Sequence, residues 1–445
     1  MYASRWPFIY VFRFIFRATL KLIAKSIFIL PTAIVGTSVI QTSIAQGRTF
    51  NWNDCVSLAE QNNTEIRQAK EKLTAAQYLV RSAQSGFYPK IYGSLSHSSS
   101  YLANTGQSDT AQMNLSLSQN LFSGFSDLSK SDIAKQNALT AQISLQQTKL
   151  SAIENLKIAY SKLVYAQDYL KLVKRIEARR SENYKMVELR YNSGRENKGS
   201  LLLSEAYHHQ AKYDILLAQS QINISQEELK KILGLEDQEQ LEVTSEDTTS
   251  ILLDPNPEFQ TLALKNYDYQ KTKSDEIVSQ LNLKSAKSGF SPSLDLSAST
   301  GKTDSTWTPN QNKWSAGLTL TIPLFDGLKD YSSAQAQAAS AKAAELLTIS
   351  TRQEIVTKLK QAYADLKISQ EKLKVDHLFQ KASLTRSEIA RKKYNNGLMS
   401  FEEWDQVEND LILREKNLLS SQRDFWKAYA SWTYMASQNQ EVTYE

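Results

Sequence analysis

Ser85-Gly86-Phe87-Tyr88-Pro89, then Leu121-Phe122-Ser123-Gly124, Ala159-Tyr160 and Tyr191-Asn192-Ser193-Gly194, mark out one stretch of the chain. The same landmarks return 203 residues later as Ser288-Gly289-Phe290-Ser291-Pro292, Leu324-Phe325-Asp326-Gly327, Ala362-Tyr363 and Tyr394-Asn395-Asn396-Gly397. So many landmarks in one register over about 110 residues mean one long structural unit written twice. Both copies must therefore do the same geometric job.

Helix breakers set the shape of each unit. Phe125 to Ser193 contains neither glycine nor proline, and neither does Leu328 to Asn396. Proline costs about 3 kcal/mol and glycine about 1 kcal/mol in a helix interior, so this absence predicts two long helices. At 1.5 Å per residue each is ~100 Å long. Leu156, Tyr160 and Leu163 form an apolar stripe that Leu359, Tyr363 and Leu366 repeat. A helix of this length needs neighbours to cover such a stripe. Alanines crowd the start of the second helix, from Ala334 to Ala344, and predict close helix packing. Each helix should stop at its Tyr-x-x-Gly turn, where glycine takes a left-handed cap. Shorter amphipathic stretches, about 200–233 and 400–435, then return alongside, so each unit predicts a helical hairpin.

The period changes from 3.6 to 2 between Pro89 and Phe122 and between Pro292 and Phe325. Met113, Leu115 and Leu117 alternate with Asn114, Ser116 and Ser118; Trp314, Ala316, Leu318, Leu320 and Ile322 alternate with Ser315, Gly317, Thr319 and Thr321. Each segment predicts a β-hairpin with one apolar and one polar face. Apolar-out, polar-in strands about ten residues long are the mark of an outer-membrane barrel. Four strands cannot close a barrel, and open edges are forbidden in lipid. Several chains must then share one barrel, and three copies give twelve strands around a water-filled lumen. A soluble sheet packed on the helices is the competing reading.

Residues 1–45 carry Arg5, Arg13, Arg17, Lys21 and Lys25, no acid, an apolar run from Ser26 to Ile40, and Ser43-Ile44-Ala45. They predict an export signal; the alternative is a membrane anchor, for which the run is short. These five cations account for the net charge of +5. The rest of the chain is near neutral, which argues against nucleic-acid binding. No later window has the roughly 18 consecutive apolar residues of a spanning helix. The single cysteine, Cys55, excludes a disulfide framework. Its surroundings, Trp52-Asn53-Asp54-Cys55-Val56, lack a lipobox and predict a buried helix residue rather than a lipid anchor.

The predicted organisation is a signal (1–45), a first repeat (46–253, hairpin 90–122), a second repeat (254–435, hairpin 293–324) and a tail (436–445). An acidic linker, Gly234 to Pro257, joins the repeats. The histidines, His97, His208, His209 and His377, lack metal-ligand spacing, and the adjacent pair should point apart. No phosphate loop, nucleophile elbow or framed carboxylate pair is present, so neither enzyme activity nor a cofactor is expected.

Over residues 46–435 the chain resembles the TolC-like outer-membrane efflux proteins. The resemblance rests on Asn63-Thr64-Glu65-Ile66 and Asn256-Pro257-Glu258-Phe259 opening the halves, on both Ser-Gly-Phe-x-Pro motifs, on both Leu-Phe-x-Gly turns and on both Tyr-x-x-Gly turns. It implies a mainly α fold with membrane β: duplicated long-helix hairpins in an α-helical barrel, and four strands per chain in a twelve-stranded trimeric outer-membrane β-barrel. It implies a homotrimer with its helical tunnel in the periplasm, partnered by a periplasmic adaptor (membrane fusion protein) and an inner-membrane ABC or proton-driven exporter. The function implied is a passive conduit for efflux or type I secretion. A periplasmic coiled-coil scaffold or adaptor is the alternative.

Two departures are expected. Three extra residues between Gly194 and Gly199 should make the tips inequivalent, and about ten extra residues should lie between Asn256 and Gly289. By resemblance, acids after Gly397 ring the periplasmic entrance. Glu403 matches the family's first acid, and Gln406 stands where a second would be. Glu402 and Asp405 are further candidates, and Glu205 is the expected match in the first hairpin. A threefold ring of carboxylates would select cations; the alternative is helix N-terminal acids that suit the macrodipole. Tyr191, Gly194, Arg195, Tyr394, Gly397 and Leu398 are the expected adaptor-docking tips, exposed on a rigid scaffold.

Overall fold

The computed structural model describes residues 48–104, 106–235, 241–244 and 254–437. The expected signal at 1–45, most of the acidic linker and most of the tail (438–445) lie outside the described residues.

The repeat register holds element by element. Helix α1 (Trp52–Asn62) and helix α2 (Thr64–Gln84) lead to strands β2 (Lys90–Leu102) and β3 (Gly106–Ser123). Helices α3 (Ser126–Asn192) and α4 (Lys198–Leu233) follow. The second copy runs α5 (Phe259–Lys265), α6 (Tyr267–Lys287), β5 (Ser293–Asp304), β6 (Gln311–Thr321), α7 (Lys329–Asn395) and α8 (Phe401–Met435). The long helices α3 and α7 are each 67 residues, matching the breaker-free stretches.

Both expected departures are corrected. Asn63 caps α2 and donates to the Ile232 carbonyl at 2.9 Å; Asn266 caps α6 and donates to the Met435 carbonyl at 3.0 Å. Asn266, not Asn256, is the counterpart of Asn63, so no ten-residue insertion exists. Asn256 lies upstream of α5, where no cap signal separates it by sequence from the true one. The tips are also equal in length, since α4 is capped by Asn197 and α8 by Ser400, 203 apart. Those asparagine bonds set α2 on the end of α4 and α6 on the end of α8.

In one half of the bundle the helices lie side by side in the order α4–α3–α8–α7, and in the other α2–α3–α6–α7. Leu156, Leu163, Leu359 and Leu366 are fully buried between them. Burying each such side chain contributes about 1.5–3 kcal/mol. The expected stripes are thus the seams of the bundle. Buried Lys157 sits 4.1 Å from the Trp52 ring and 4.1 Å from the Trp426 ring, pinning the first repeat to the second. Cys55 is fully buried in α1, as expected.

The linker contains structure that the sequence did not announce. Strand β4 (Leu241–Val243) pairs in parallel with β1 (Arg48–Phe50), covering Phe50 and Leu241. Three-residue strands carry too little periodicity to be seen in sequence.

The main sheet is antiparallel in the order β2-β3-β5-β6. Each repeat passes from sheet to long helix through two consecutive left-handed residues, Gly124-Phe125 (φ 62° and 69°) in the first and Gly327-Leu328 (φ 70° and 68°) in the second. A left-handed non-glycine residue costs roughly 1–2 kcal/mol, so this corner is over-determined by its surroundings. A Cβ on Gly124 would lie 2.4 Å from the Ser291 Cβ, so this corner also needs the missing side chain.

Candidate functional site: the paired tips and the two-faced sheet

Both hairpin tips are built alike. The Arg195 amide donates to the Arg190 carbonyl at 2.8 Å, and the Leu398 amide to the Lys393 carbonyl at 2.9 Å. Gly194 and Gly397 take φ of 72° and 73°, with open space where a Cβ would stand. These are the glycine C-caps read from the sequence.

The side chains break the symmetry. Tyr191 is exposed, whereas its counterpart Tyr394 is fully buried. The Tyr394 ring stacks on Trp404 at 4.5 Å, the Arg190 guanidinium lies 4.5 Å from it, and its hydroxyl donates to Glu196 at 2.8 Å. Burial, then the Glu196 carboxylate, push the Tyr394 phenol well above its ordinary range. It therefore stays a neutral donor. The counterparts of Arg190, Glu196 and Trp404 are Lys393, Met399 and Leu201, so the first tip cannot make this arrangement.

The seam between α3 and α8 is charged. Arg180 pairs with Asp405 at 3.2 Å, and Arg179 with Glu415 at 2.8 Å. Glu408, also buried, lies 3.9 Å from Arg179 and accepts from the Ser387 hydroxyl. Sequence reading missed this seam, because nothing in the Arg179-Arg180 doublet names a partner more than 220 residues away.

The candidate acids therefore separate. Asp405 is turned into the chain against Arg180, which corrects its expected place at the aperture. Glu205 aligns with Glu408 in the repeat register, while Glu403 aligns with Ser200; the pairing of Glu205 with Glu403 is corrected accordingly. Glu403 closes a capping box, accepting from the Ser400 amide at 3.1 Å while Ser400 accepts from its amide. Glu402 and Glu403 both remain exposed in the first turn of α8. Of the docking candidates, Tyr394 is buried and leaves the surface, whereas Tyr191, Gly194, Arg195, Gly397 and Leu398 are exposed.

His208 contacts Glu177 at 3.1 Å, and its ring centroid lies 6.1 Å from that of His209, so the adjacent pair does not point fully apart. Among the described residues no group of His, Cys, Asp and Glu could hold a metal.

The sheet has two unlike faces. Register places Ile91, Leu117, Ala298 and Ala316 in one row, and puts the pairs Leu95–Met113 and Leu296–Leu318 on the same face, where Met113 meets Lys302 across β5. The opposite face carries Ser94, Asn114, Ser116, Ser297, Ser299 and Ser315. The apolar side chains Leu95, Met113, Trp314, Leu318 and Leu320 are exposed within the chain. No described helix is long and apolar enough to cross a membrane.

The chain matches the outer membrane efflux protein family over residues 55–235 and 261–432, which takes in both repeats. It belongs to that family.

A curated relative, the outer membrane protein TolC of Escherichia coli (strain K12), is 22% identical over 300 residues. That match covers 60% of this chain and 58% of TolC's length. Among solved structures, CusC superposes with a TM-score of 0.79 at 18% identity, covering 90% of this chain and 96% of CusC. VceC of Vibrio cholerae gives a TM-score of 0.74 at 16% identity, covering 87% and 96% of the two chains. The fold is thus that of these proteins, and the resemblance read from the duplicated motifs holds. The family is one of efflux channels, not of enzymes.

Proposed function

We propose that the chain is one third of a trimeric conduit through the outer membrane, serving a tripartite efflux or type I secretion system. The observation that carries this reading is the four-stranded sheet: one apolar face, one hydroxyl and amide face, and two open edges. Lipid would cover the first face, water the second, and neighbouring copies the edges. The helical wall is unfinished in the same sense. Helices α4 and α7 stand at its two flanks. They expose Leu202, Leu203, Leu216 and Leu217 on one, and Leu346, Leu347, Ile368 and Leu378 on the other. Exposed apolar surface on this scale calls for a partner. The α7 flank of one copy against the α4 and α2 flanks of the next supplies it, with the alanines at the start of α7 permitting close approach to α2.

In this reading the sheet lies in the outer membrane and the helices run through the periplasm. The tips face a periplasmic adaptor and an inner-membrane ABC or proton-driven exporter. Tyr191, Arg195 and Leu398 would meet the adaptor, and Glu402 and Glu403 would supply the carboxylates at the entrance.

Membrane fractionation tests the proposal. The expected result is a carbonate-resistant outer-membrane protein that runs as a heat-modifiable trimer. A carbonate-extractable monomer would instead support a periplasmic scaffold.

A further inference from the structure

The polar face of the sheet is almost free of charge, and its few charges are not repeated. Across β2, β3, β5 and β6 that face carries serine, threonine, asparagine, glutamine and glycine at nearly every register position. The charged exceptions are Lys90, Asp295 and Lys313. Their counterparts in the other repeat are Ser293, Tyr92 and Thr110. Each charge therefore occurs once per chain, although the strands that bear them are duplicated.

Asp295 differs from the two lysines in being held. The Asn120 side-chain amide on β3 donates to Asp295 Oδ1 at 2.8 Å. The counterpart of Asn120 is Pro323, which has no donor to offer, so this Asn–Asp pair occurs once per chain. Asp295 is half-buried, near the end of the sheet where the helices begin. Lys313 is exposed, six residues further up β5 by register, opposite Gly301.

We propose that Asp295, positioned by Asn120, is the charge-selecting group of the barrel lumen, and that Lys90 and Lys313 oppose it. The inference rests on the trimeric-barrel reading, which turns this face toward the water-filled pore. A threefold axis converts each residue into a ring of three like charges. Rings of fixed side-chain charge set ion preference in pores, and a wall of hydroxyls and amides leaves those rings unrivalled within the barrel, in series with the carboxylates at the entrance. In a water-filled pore a unit charge at roughly 10 Å changes the local concentration of a monovalent ion about two-fold. The lumen should therefore discriminate permeants by charge at these positions and little elsewhere.

Reversal potentials of the purified trimer in planar bilayers, under a potassium chloride gradient, test the inference. Asp295→Asn should lower the potassium-to-chloride permeability ratio by about four-fold, two-fold for each ion, and Lys313→Gln and Lys90→Gln should each raise it. An unchanged ratio for Asp295→Asn, in a trimer that conducts normally, overturns the inference. Cysteine accessibility keeps that failure distinct from failure of the barrel itself. Current through Ser297→Cys should be blocked by a charged, water-soluble thiol reagent, and current through Leu296→Cys should not. The wild type controls for buried Cys55. Block of Leu296→Cys alone would overturn the orientation of the sheet and the inference with it.

Discussion

The rings of Tyr394 and Trp404 lie face to face, 4.5 Å apart and within 5° of parallel, at the end of the bundle where the two hairpins meet. Tyr394 ends one long helix and Trp404 begins the helix that returns from it. The hydroxyl of Tyr394 then reaches Glu196 in the other hairpin. One side chain thus fixes the turn of its own hairpin and ties it to its neighbour.

Tyr394→Phe should keep the stack and lose the tie. The expected cost is about 1 kcal/mol, more if Glu196 stays dehydrated. Amide hydrogen exchange should quicken around residues 190–200 while the core near Leu359 is unaffected. Uniform exchange across both regions would refute the tie.

Arg180→Ala should cost much more, about 3–5 kcal/mol, because it strands a buried carboxylate on Asp405. Arg180→Met combined with Asp405→Leu should recover most of the loss, since the counterparts in the other repeat, Ser383 and Leu202, are neutral. Thermal unfolding of the detergent-solubilised protein reads both.

At the tip, Gly397→Val places a β-branched residue at φ 73° with nothing crowding its Cβ. The penalty is purely conformational and exceeds roughly 1–2 kcal/mol. Export should fall while membrane insertion, followed by heat-modifiable mobility, stays normal. The same holds for Gly194→Val.

On the sheet, Leu318→Arg and Ser315→Arg should behave oppositely. A cation on the lipid face costs roughly 2–4 kcal/mol near the bilayer midplane, whereas a lumen-facing one is tolerated. Outer-membrane levels should drop for Leu318→Arg only.

Acid should act on Glu154 and Asp376 in opposite senses. Burial, partly offset by the Ser431 hydroxyl, raises Glu154 above its ordinary 4.5. A raised carboxyl contributes most stability when protonated and loses it as pH climbs through its folded value. Glu154→Gln should therefore raise the unfolding temperature at pH 7, with the advantage vanishing below about pH 4. Burial pushes Asp376 up as well, but Lys372 and Ser421 more than offset it and leave it below 3.8. Its contribution is present above that value and is lost as pH falls through the folded one. Asp376→Asn should therefore be destabilising at pH 7, with the deficit closing only as pH falls below 3.8.

Much of this architecture was legible because its signals are long. Sixty-odd residues without a breaker, and strands that alternate for ten positions, each repeat one physical rule many times. What escaped reading was set by single contacts. In sequence, Asn256 reads as well as the true cap, Asn266, because one asparagine resembles another until its partner, the Met435 carbonyl, is seen. Asp405 looked like an exposed acid because its partner, Arg180, lies in the other repeat. The three-residue pairing of β1 with β4 has no period to detect.

The matched caps at Asn197 and Ser400 carry a last consequence. Two rods of equal length reach the same level, so the adaptor proposed to dock there would meet a flat rim rather than a staggered one. Adding a heptad to a single hairpin would leave one prong proud of the others. Length in this molecule can therefore change only in step, both repeats at once, and a chimera that lengthens one arm alone should insert yet fail to seat its partner.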